Sequence, residues 1–315
     1  MRQLGRVGVL LGGRSSEREI SLMSGRAVLQ ALRSRGVDAH PFDPGLQSIG
    51  ELEQAGFDRV FIALHGRFGE DGTIQGVLET LRIPYTGSGV QASSIALDKL
   101  VTKRLWIWAG IPTPAWRELE VGGDFDAALR ELGGAVVVKP RTEGSTIGIS
   151  KVTSNRDGEM AKAVAEALRY DTRVFAEELI DGRELTCAIL GAGSGTQALP
   201  LIEIRAPQGN YDYQNKYFKD DTQYLCPAPL DAALAQRIQR VCVQAYAIVG
   251  ARGWGRVDVM LKPGADGEQP LLLELNTSPG MTGHSLVPMA ARASGIDFPD
   301  LVLRILSEAA LEVAT

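Results

Sequence analysis

Val7–Leu11 is a short, unbroken apolar run that stops on Gly12-Gly13. Such a run fits a strand buried on both faces. Ser16-Glu17-Arg18-Glu19 follows, matching the S-x-x-E capping box, then Ile20, Met23, Ala27 and Leu32, with Gly36 as a stop. That spacing predicts a helix. Strand-like stretches at Ala39–Phe42 and Val60–Leu64 come next. Strand, helix and strand in that order imply a parallel sheet with a right-handed crossover. Residues 1–87 therefore read as one α/β domain.

The 315-residue chain leaves room for more than one such domain, with cores that need no disulfide. A helix is predicted over Ile95–Ala109, another near Asp124–Leu132, and strands at Ala135–Lys139, Gly148–Val152 and Arg173–Glu178 around a helix near Gly158–Leu168. Residues 88–180 form this second unit. From 181 to 315 the pattern shifts toward strands at Leu185–Leu190, Leu199–Ile204, Gly255–Leu261 and Leu271–Leu275. Helices are expected at Ala232–Val249, Val287–Ala293 and Asp300–Ala310. A long polar segment, 205–227, interrupts them, and loops of that length are usually functional or disordered.

Hydrophobic residues make up 44% and charged ones 23%, which argues against disorder. A net charge of −5 and the lack of a basic stripe disfavour a nucleic-acid partner. No apolar run reaches the roughly 18 residues that span a bilayer, so no membrane partner is expected. The first residues lack a signal-peptide pattern, and the cytoplasm is the expected location. Cys187, Cys226 and Cys242 are scattered and suggest neither a disulfide framework nor a zinc site.

Several stretches can carry chemistry. Gly87–Ala92 matches the dinucleotide pattern only formally, and no P-loop is present. Lys139 ends an apolar strand and precedes Arg141-Thr142-Glu143-Gly144-Ser145-Thr146-Ile147-Gly148. Loops this rich in glycine and hydroxyls let backbone N–H groups approach phosphates, although a hairpin turn with a snorkelling lysine reads equally well. Strand alternation puts Arg256 and Asp258 on one face, and Glu274 and Asn276 on one face. Oxygen donors of that type suit Mg²⁺ or Mn²⁺; a salt bridge to Arg256 is the alternative. The loop 277–285 has small residues that can line an anion site, with Ser285 as a helix N-cap. Glu17 and His65 each follow a strand, where open α/β sheets place ligands.

Together these stretches resemble the D-alanine–D-alanine ligases of the ATP-grasp superfamily. The resemblance rests on Leu11-Gly12-Gly13 with Ser16–Glu19, Leu64-His65-Gly66 with Gly69-Glu70-Asp71-Gly72, Tyr85–Gly89 and Asp98-Lys99. It continues through Val138-Lys139-Pro140 with Glu143-Gly144-Ser145, Tyr211-Asp212-Tyr213, Lys216-Tyr217, Gly255–Asp258 and Glu274–Thr282. It implies an ATP-grasp fold, α/β overall and α+β in the C-terminal part, behind an N-terminal Rossmann-like parallel-sheet domain. It implies ATP-dependent joining of two D-alanines through D-alanyl phosphate, for peptidoglycan. Asp258, Glu274 and Asn276 would hold two Mg²⁺ ions, or Mn²⁺. Lys99, Lys139 and Lys216 would balance phosphate charge, with Ser145 beside them. Glu177, Glu178, Leu179 and Ile180 would meet adenine, and Glu184 the ribose. Glu17 would bind the first ammonium, with His65 nearby. Arg256 and the Gly280 N–H would stabilise the oxyanion, and Ser285 with the Leu286 N–H would take the second carboxylate. Tyr217, on a lid spanning 205–227, would join Ser145 and Glu17 and favour a dipeptide over a depsipeptide. Glu178 departs from relatives that carry lysine there. The resemblance also implies a homodimer. The alternatives are an ATP-grasp ligase for another amino or hydroxy acid, and a non-catalytic nucleotide-binding regulator.

Overall fold

The computed structural model describes residues 4–144, 147–206, 222–265 and 267–313. The chain opens with β1 (Arg6–Leu10), α1 (Arg18–Ser34), β2 (Asp38–Phe42), α2 (Ile49–Gln54), β3 (Arg59–Ile62) and α3 (Thr73–Thr80). The strands form a parallel sheet in the order β2-β1-β3, as the opening pattern predicts. Alternate residues of β1 go to opposite faces, which explains its unbroken apolar run. Val7 and Val9 join the core under α1, while Leu10 packs with Phe42, Val60 and Leu78 on the other side. The capping box expected at Ser16–Glu19 does not form. Helix α1 begins at Arg18 with Glu17 at its N-cap and no side-chain cap, and the Ser16 hydroxyl is 3.5 Å from Glu143 Oε2 instead. A complete box forms at Ser48–Glu51, at the start of α2.

Next come α4 (Val90–Leu97), α5 (Lys99–Trp108), β4 (Trp116–Leu119), α6 (Phe125–Glu131), β5 (Val136–Pro140), β6 (Ser150–Val152), α7 (Glu159–Ala167) and β7 (Val174–Glu178). The single helix expected over 95–109 is thus two. Asp98 breaks it with an extended backbone, ψ 95°, and its carboxylate accepts the N–H groups of Leu100 and Val101, capping α5. The strands form an antiparallel sheet, β4-β7-β5-β6, covered by Leu129, Met160 and Val164 of α6 and α7.

The last part contains β8 (Arg183–Leu190), β9 (Gln197–Ala198), β10 (Ile202–Arg205), β11 (Gln223–Leu225), α8 (Ala232–Ile248), β12 (Trp254–Lys262), β13 (Gln269–Asn276), α9 (Leu286–Ala293) and α10 (Phe298–Ser307). Its sheet runs β11-β10-β8-β12-β13, with β9 on β8. Leu185, Cys187 and Ile189 face α8 together with Ala96 and Trp106 of α4 and α5. Ala188 and Leu190 face the other way, into a core shared with α1, α9 and α10. This second core fuses the first sheet to the third, and Trp254 meets Phe61 there at 6.1 Å between ring centroids. The last helix stops at Ser307 rather than Ala310, because Ala310 pairs with Tyr85. No described helix is long and apolar enough to cross a membrane.

Candidate active site

Glu17 lies at the β1–α1 junction, buried, with its carboxylate between two glycines. A Cβ on Gly66 would lie 2.7 Å from Glu17 Oε2, and so would one on Gly144. Only a bare backbone lets the first unit and the 140–147 loop approach this acid so closely. Beside it, His65 Nδ1 donates to the Ser278 carbonyl at 2.8 Å, while Nε2 is 3.0 Å from Ser24 Oγ. Ser24 also accepts the Met281 N–H at 3.0 Å, so His65 and Ser24 bind the first sheet to the loop after β13. Burial pulls the His65 pKa down. The nearby Glu70 carboxylate, the charge of Glu17 and the Ser278 carbonyl outweigh it, and the net shift is upward. Burial also pushes the Glu70 carboxyl up, more than His65 lowers it.

A second group lines the middle sheet. Lys139 of β5 pairs with Glu177 of β7, and Lys103 of α5 approaches the other Glu177 oxygen at 3.0 Å. Glu177 and Lys103 are almost wholly enclosed, at 2% and 0% side-chain exposure. Lys103 also donates to Thr113 Oγ1 at 2.6 Å. Burial would raise the Glu177 pKa, but the two ammonium groups hold it below its ordinary value. Two cations thus share one carboxylate, which leaves Lys139 with capacity for an anion. Lys99 Nζ donates to the Glu143 carbonyl at 2.6 Å and lies 3.3 Å from Glu274 Oε2. Glu178 pairs with Lys262; Leu179 is half-buried, Ile180 is buried, and Glu184 lies on β8 opposite Met260.

On the third sheet Asp258 pairs across from Glu274, and Arg256 across from Asn276. Of the two sequence readings of this group, the salt bridge to Arg256 is present. Arg256 makes a forked bond to Asp258, at 2.8 and 2.6 Å, and the oxygen donors still cluster. Asn276 Nδ2 reaches Asp258 Oδ2 at 3.2 Å and Glu274 Oε1 at 3.5 Å. Thr186 Oγ1 donates to Asp258 Oδ1 at 2.7 Å. The donor set fits a small hard cation, since a half-turn of the Asn276 amide adds its oxygen to the two carboxylates. Among the described residues no group of three or more His, Cys, Asp or Glu side chains forms a metal cage. A cation here would therefore need further oxygens, as Mg²⁺ does when it bridges carboxylates to phosphates.

The loop after β13 runs through Gly280 to Ser285. Ser285 holds the N-cap position of α9, but its hydroxyl does not cap the helix as expected; it accepts the Thr282 N–H at 2.9 Å. A Cβ at Gly280 would come within 3.0 Å of that hydroxyl. Leu286 is the first residue of α9, where backbone N–H groups have no partner within the helix. Ser145, Lys216, Tyr217 and most of the expected lid lie outside the described residues.

A chain of polar contacts thus links the three sheets: Glu17 lies against Gly144, Lys99 bonds the Glu143 carbonyl and pairs with Glu274, and Glu274 stands across from Asp258. Residues 45–88 match the family described as D-ala D-ala ligase N-terminus, and residues 105–307 match D-ala D-ala ligase C-terminus. The chain belongs to the D-alanine–D-alanine ligase family. It is 61% identical over 312 residues to the D-alanine–D-alanine ligase of Cupriavidus taiwanensis, covering 99% of this chain and 94% of that protein. It is 57% identical over 314 residues to that of Delftia acidovorans, covering 100% and 95%. Its fold matches the crystal structure of the Bacillus anthracis D-alanine–D-alanine ligase with a TM-score of 0.82 at 36% identity, covering 96% of each chain. A structure of the Bacillus anthracis ligase complexed with ATP matches at 0.81 and 34%, again covering 96% of each. The mixed parallel and antiparallel architecture is the ATP-grasp fold of this ligase family. Sequence reasoning missed Ser24 and Lys103. Lys103 stands one helical turn after Lys99, a spacing that puts both on one face and was the available signal.

Proposed function

We propose that this chain joins two D-alanine molecules into D-alanyl-D-alanine with ATP, by way of D-alanyl phosphate, for peptidoglycan precursor synthesis. Family membership over the whole chain supports the activity. One observation supports the residue assignment: Gly144 packs on the buried Glu17 carboxylate, and Lys99 joins the adjacent Glu143 carbonyl to Glu274 of the Asp258–Glu274–Asn276 oxygen cluster.

In the reaction, the carboxylate of the first D-alanine attacks the γ-phosphorus of ATP and ADP leaves. The amine of the second D-alanine then attacks the acyl carbon and phosphate leaves. Glu17 binds the first ammonium and so orients that carboxylate toward the phosphates, with His65 beside it. Lys99 and Lys139, with Lys216, neutralise phosphate charge, which phosphoryl transfer needs more than covalent help. Glu177 through Ile180 border the adenine, Glu184 the ribose. Arg256 and the Gly280 N–H hold the oxyanion that forms as the amine adds. Ser285 and the Leu286 N–H receive the second carboxylate. Asp258, Glu274 and Asn276 would hold two Mg²⁺ ions or Mn²⁺, whose chemistry would be to neutralise charge on the phosphates. Ser145 and Tyr217, which lie outside the described residues, would complete a hydrogen-bonded set with Glu17. We further propose a homodimer in the cytoplasm and a division at 87 and 180, with α4 and α5 serving both later units.

The test is phosphate release and product mass with ATP, Mg²⁺ and D-alanine, with L-alanine and D-lactate as controls. D-Alanine-dependent release with a dialanine product is expected, and Glu274→Gln abolishes it. Bound ATP that never turns over would overturn the ligase reading.

A further inference from the structure

The two glycines that enclose Glu17 each have a charged neighbour, Arg67 beside Gly66 and Glu143 beside Gly144. These neighbours meet as an ion pair: Arg67 Nε lies 2.9 Å from Glu143 Oε1. The same guanidinium reaches Thr142 Oγ1 at 3.1 Å, the Tyr170 carbonyl at 3.2 Å and Asp171 Oδ2 at 3.7 Å. Arg67 follows β3 in the first unit, and all four partners belong to loops of the middle sheet. Asp171 in turn accepts both the N–H and the hydroxyl of Thr142, at 2.8 and 2.7 Å.

Exposed ion pairs usually contribute little, and the Arg67 side chain is 49% exposed. Its carboxylate partners are not exposed in that way, at 12% for Glu143 and 8% for Asp171. A planar guanidinium suits several acceptors at once. The charges also need it. Glu143 is repelled by both Glu17 and Asp171, and Arg67 and Lys99 offset that repulsion. Without Arg67, Glu143 is pushed from Glu17 and takes the Gly144 backbone with it.

We infer that Arg67 is a positioning residue: through Glu143 it seats the Gly144 backbone against Glu17 and closes the first D-alanine site around the acyl phosphate. This rests on the ligase reading above. The chemical consequence is a leak. In an open site water adds to the acyl carbon, the acyl C–O bond to phosphorus breaks, and D-alanine and phosphate form in place of dipeptide.

The experiment uses the full chain as wild type, Arg67→Met, Arg67→Lys, Glu143→Gln and the Arg67→Met/Glu143→Gln pair. Phosphate, dipeptide and both KM values are measured, with amide hydrogen exchange over 141–144. Arg67→Met is expected to raise the KM for the first D-alanine about tenfold and leave that for ATP within about twofold. It should also release more than one phosphate per dipeptide and speed exchange over 141–144. Arg67→Lys keeps part of the coupling. In the Glu143→Gln background the Arg67→Met effect shrinks, because the repulsion it offsets is gone. One phosphate per dipeptide with unchanged KM and exchange in Arg67→Met would overturn the inference, as would a lowered melting temperature with only kcat reduced. If the wild type makes no dipeptide, the ligase reading falls, and the kinetic half of the inference falls with it. The exchange rates then decide whether Arg67 seats the loop.

Discussion

Lys103 shows how a single buried charge is kept. Its side chain is wholly enclosed, and only Glu177 and Thr113 make that tolerable. Removing the shared anion is worse than removing one cation. Glu177→Gln leaves two ammonium groups without it and should cost about 3–5 kcal/mol, whereas Lys103→Met keeps the Glu177–Lys139 pair and should cost less. Urea unfolding of both variants checks the order. Burial lowers the Lys103 pKa despite Glu177, while Glu177 keeps the Lys139 pKa above its ordinary value. At this scale the sequence was informative about types of residue. Asp258, Glu274 and Lys139 each stood out because a charge inside an apolar strand is costly. Arg67 did not stand out, since an arginine in a glycine-rich loop looks like any solvated charge.

Among the elements, the break at Asp98 has most to teach. Apolar spacing over 95–109 reads as one helix, and nothing in that period reveals a stop. The stop comes from the Asp98 carboxylate, which accepts two N–H groups of α5 and also binds Arg141 Nε at 2.6 Å. Loss of a cap of this kind costs about 0.5–2 kcal/mol, and Asp98→Ala should exceed that range because buried Arg141 loses its partner as well. Thermal and urea melts measure it, and a loss below the range would show that the cap is dispensable. The capping box teaches the converse. Two S-x-x-E matches occur near the start of the chain, at Ser16 and Ser48, and only the second forms. The first is diverted because Glu17 turns into the cleft and α1 starts one residue later. Strand runs were legible because burial on both faces leaves an unbroken apolar signature. Helices α2 and α3 were not, being short and preceded by turns.

For the molecule as a whole, the decisive contacts tie the first sheet's unit to the loop after β13, two of them across more than 200 positions. Ser24 on α1 meets His65 and the Met281 N–H, and His65 meets the Ser278 carbonyl. No spacing rule announces such a meeting; only likeness to a family of known shape brought Glu17, Lys99 and Glu274 into one cleft before the fold was seen. Ser24→Ala leaves a buried N–H and a buried ring nitrogen without their partner, a cost of about 1–3 kcal/mol each at most. Because the loss falls on the junction of the first and third sheets, unfolding should become less cooperative, with a lower urea m-value. An unchanged m-value would show that the shared apolar core alone holds the units together.

That junction also has an optical consequence. Trp254 is 1% exposed and meets Phe61 in a tilted contact across the junction, whereas Trp108 stands 80% exposed on α5. With Trp108 replaced by phenylalanine, the emission that remains comes mainly from enclosed indoles, and Trp254 alone of these sits where two sheets part company. Any event that separates them brings water to that ring and moves its fluorescence to longer wavelength, so the protein holds an intrinsic dye at the seam between its first and third sheets.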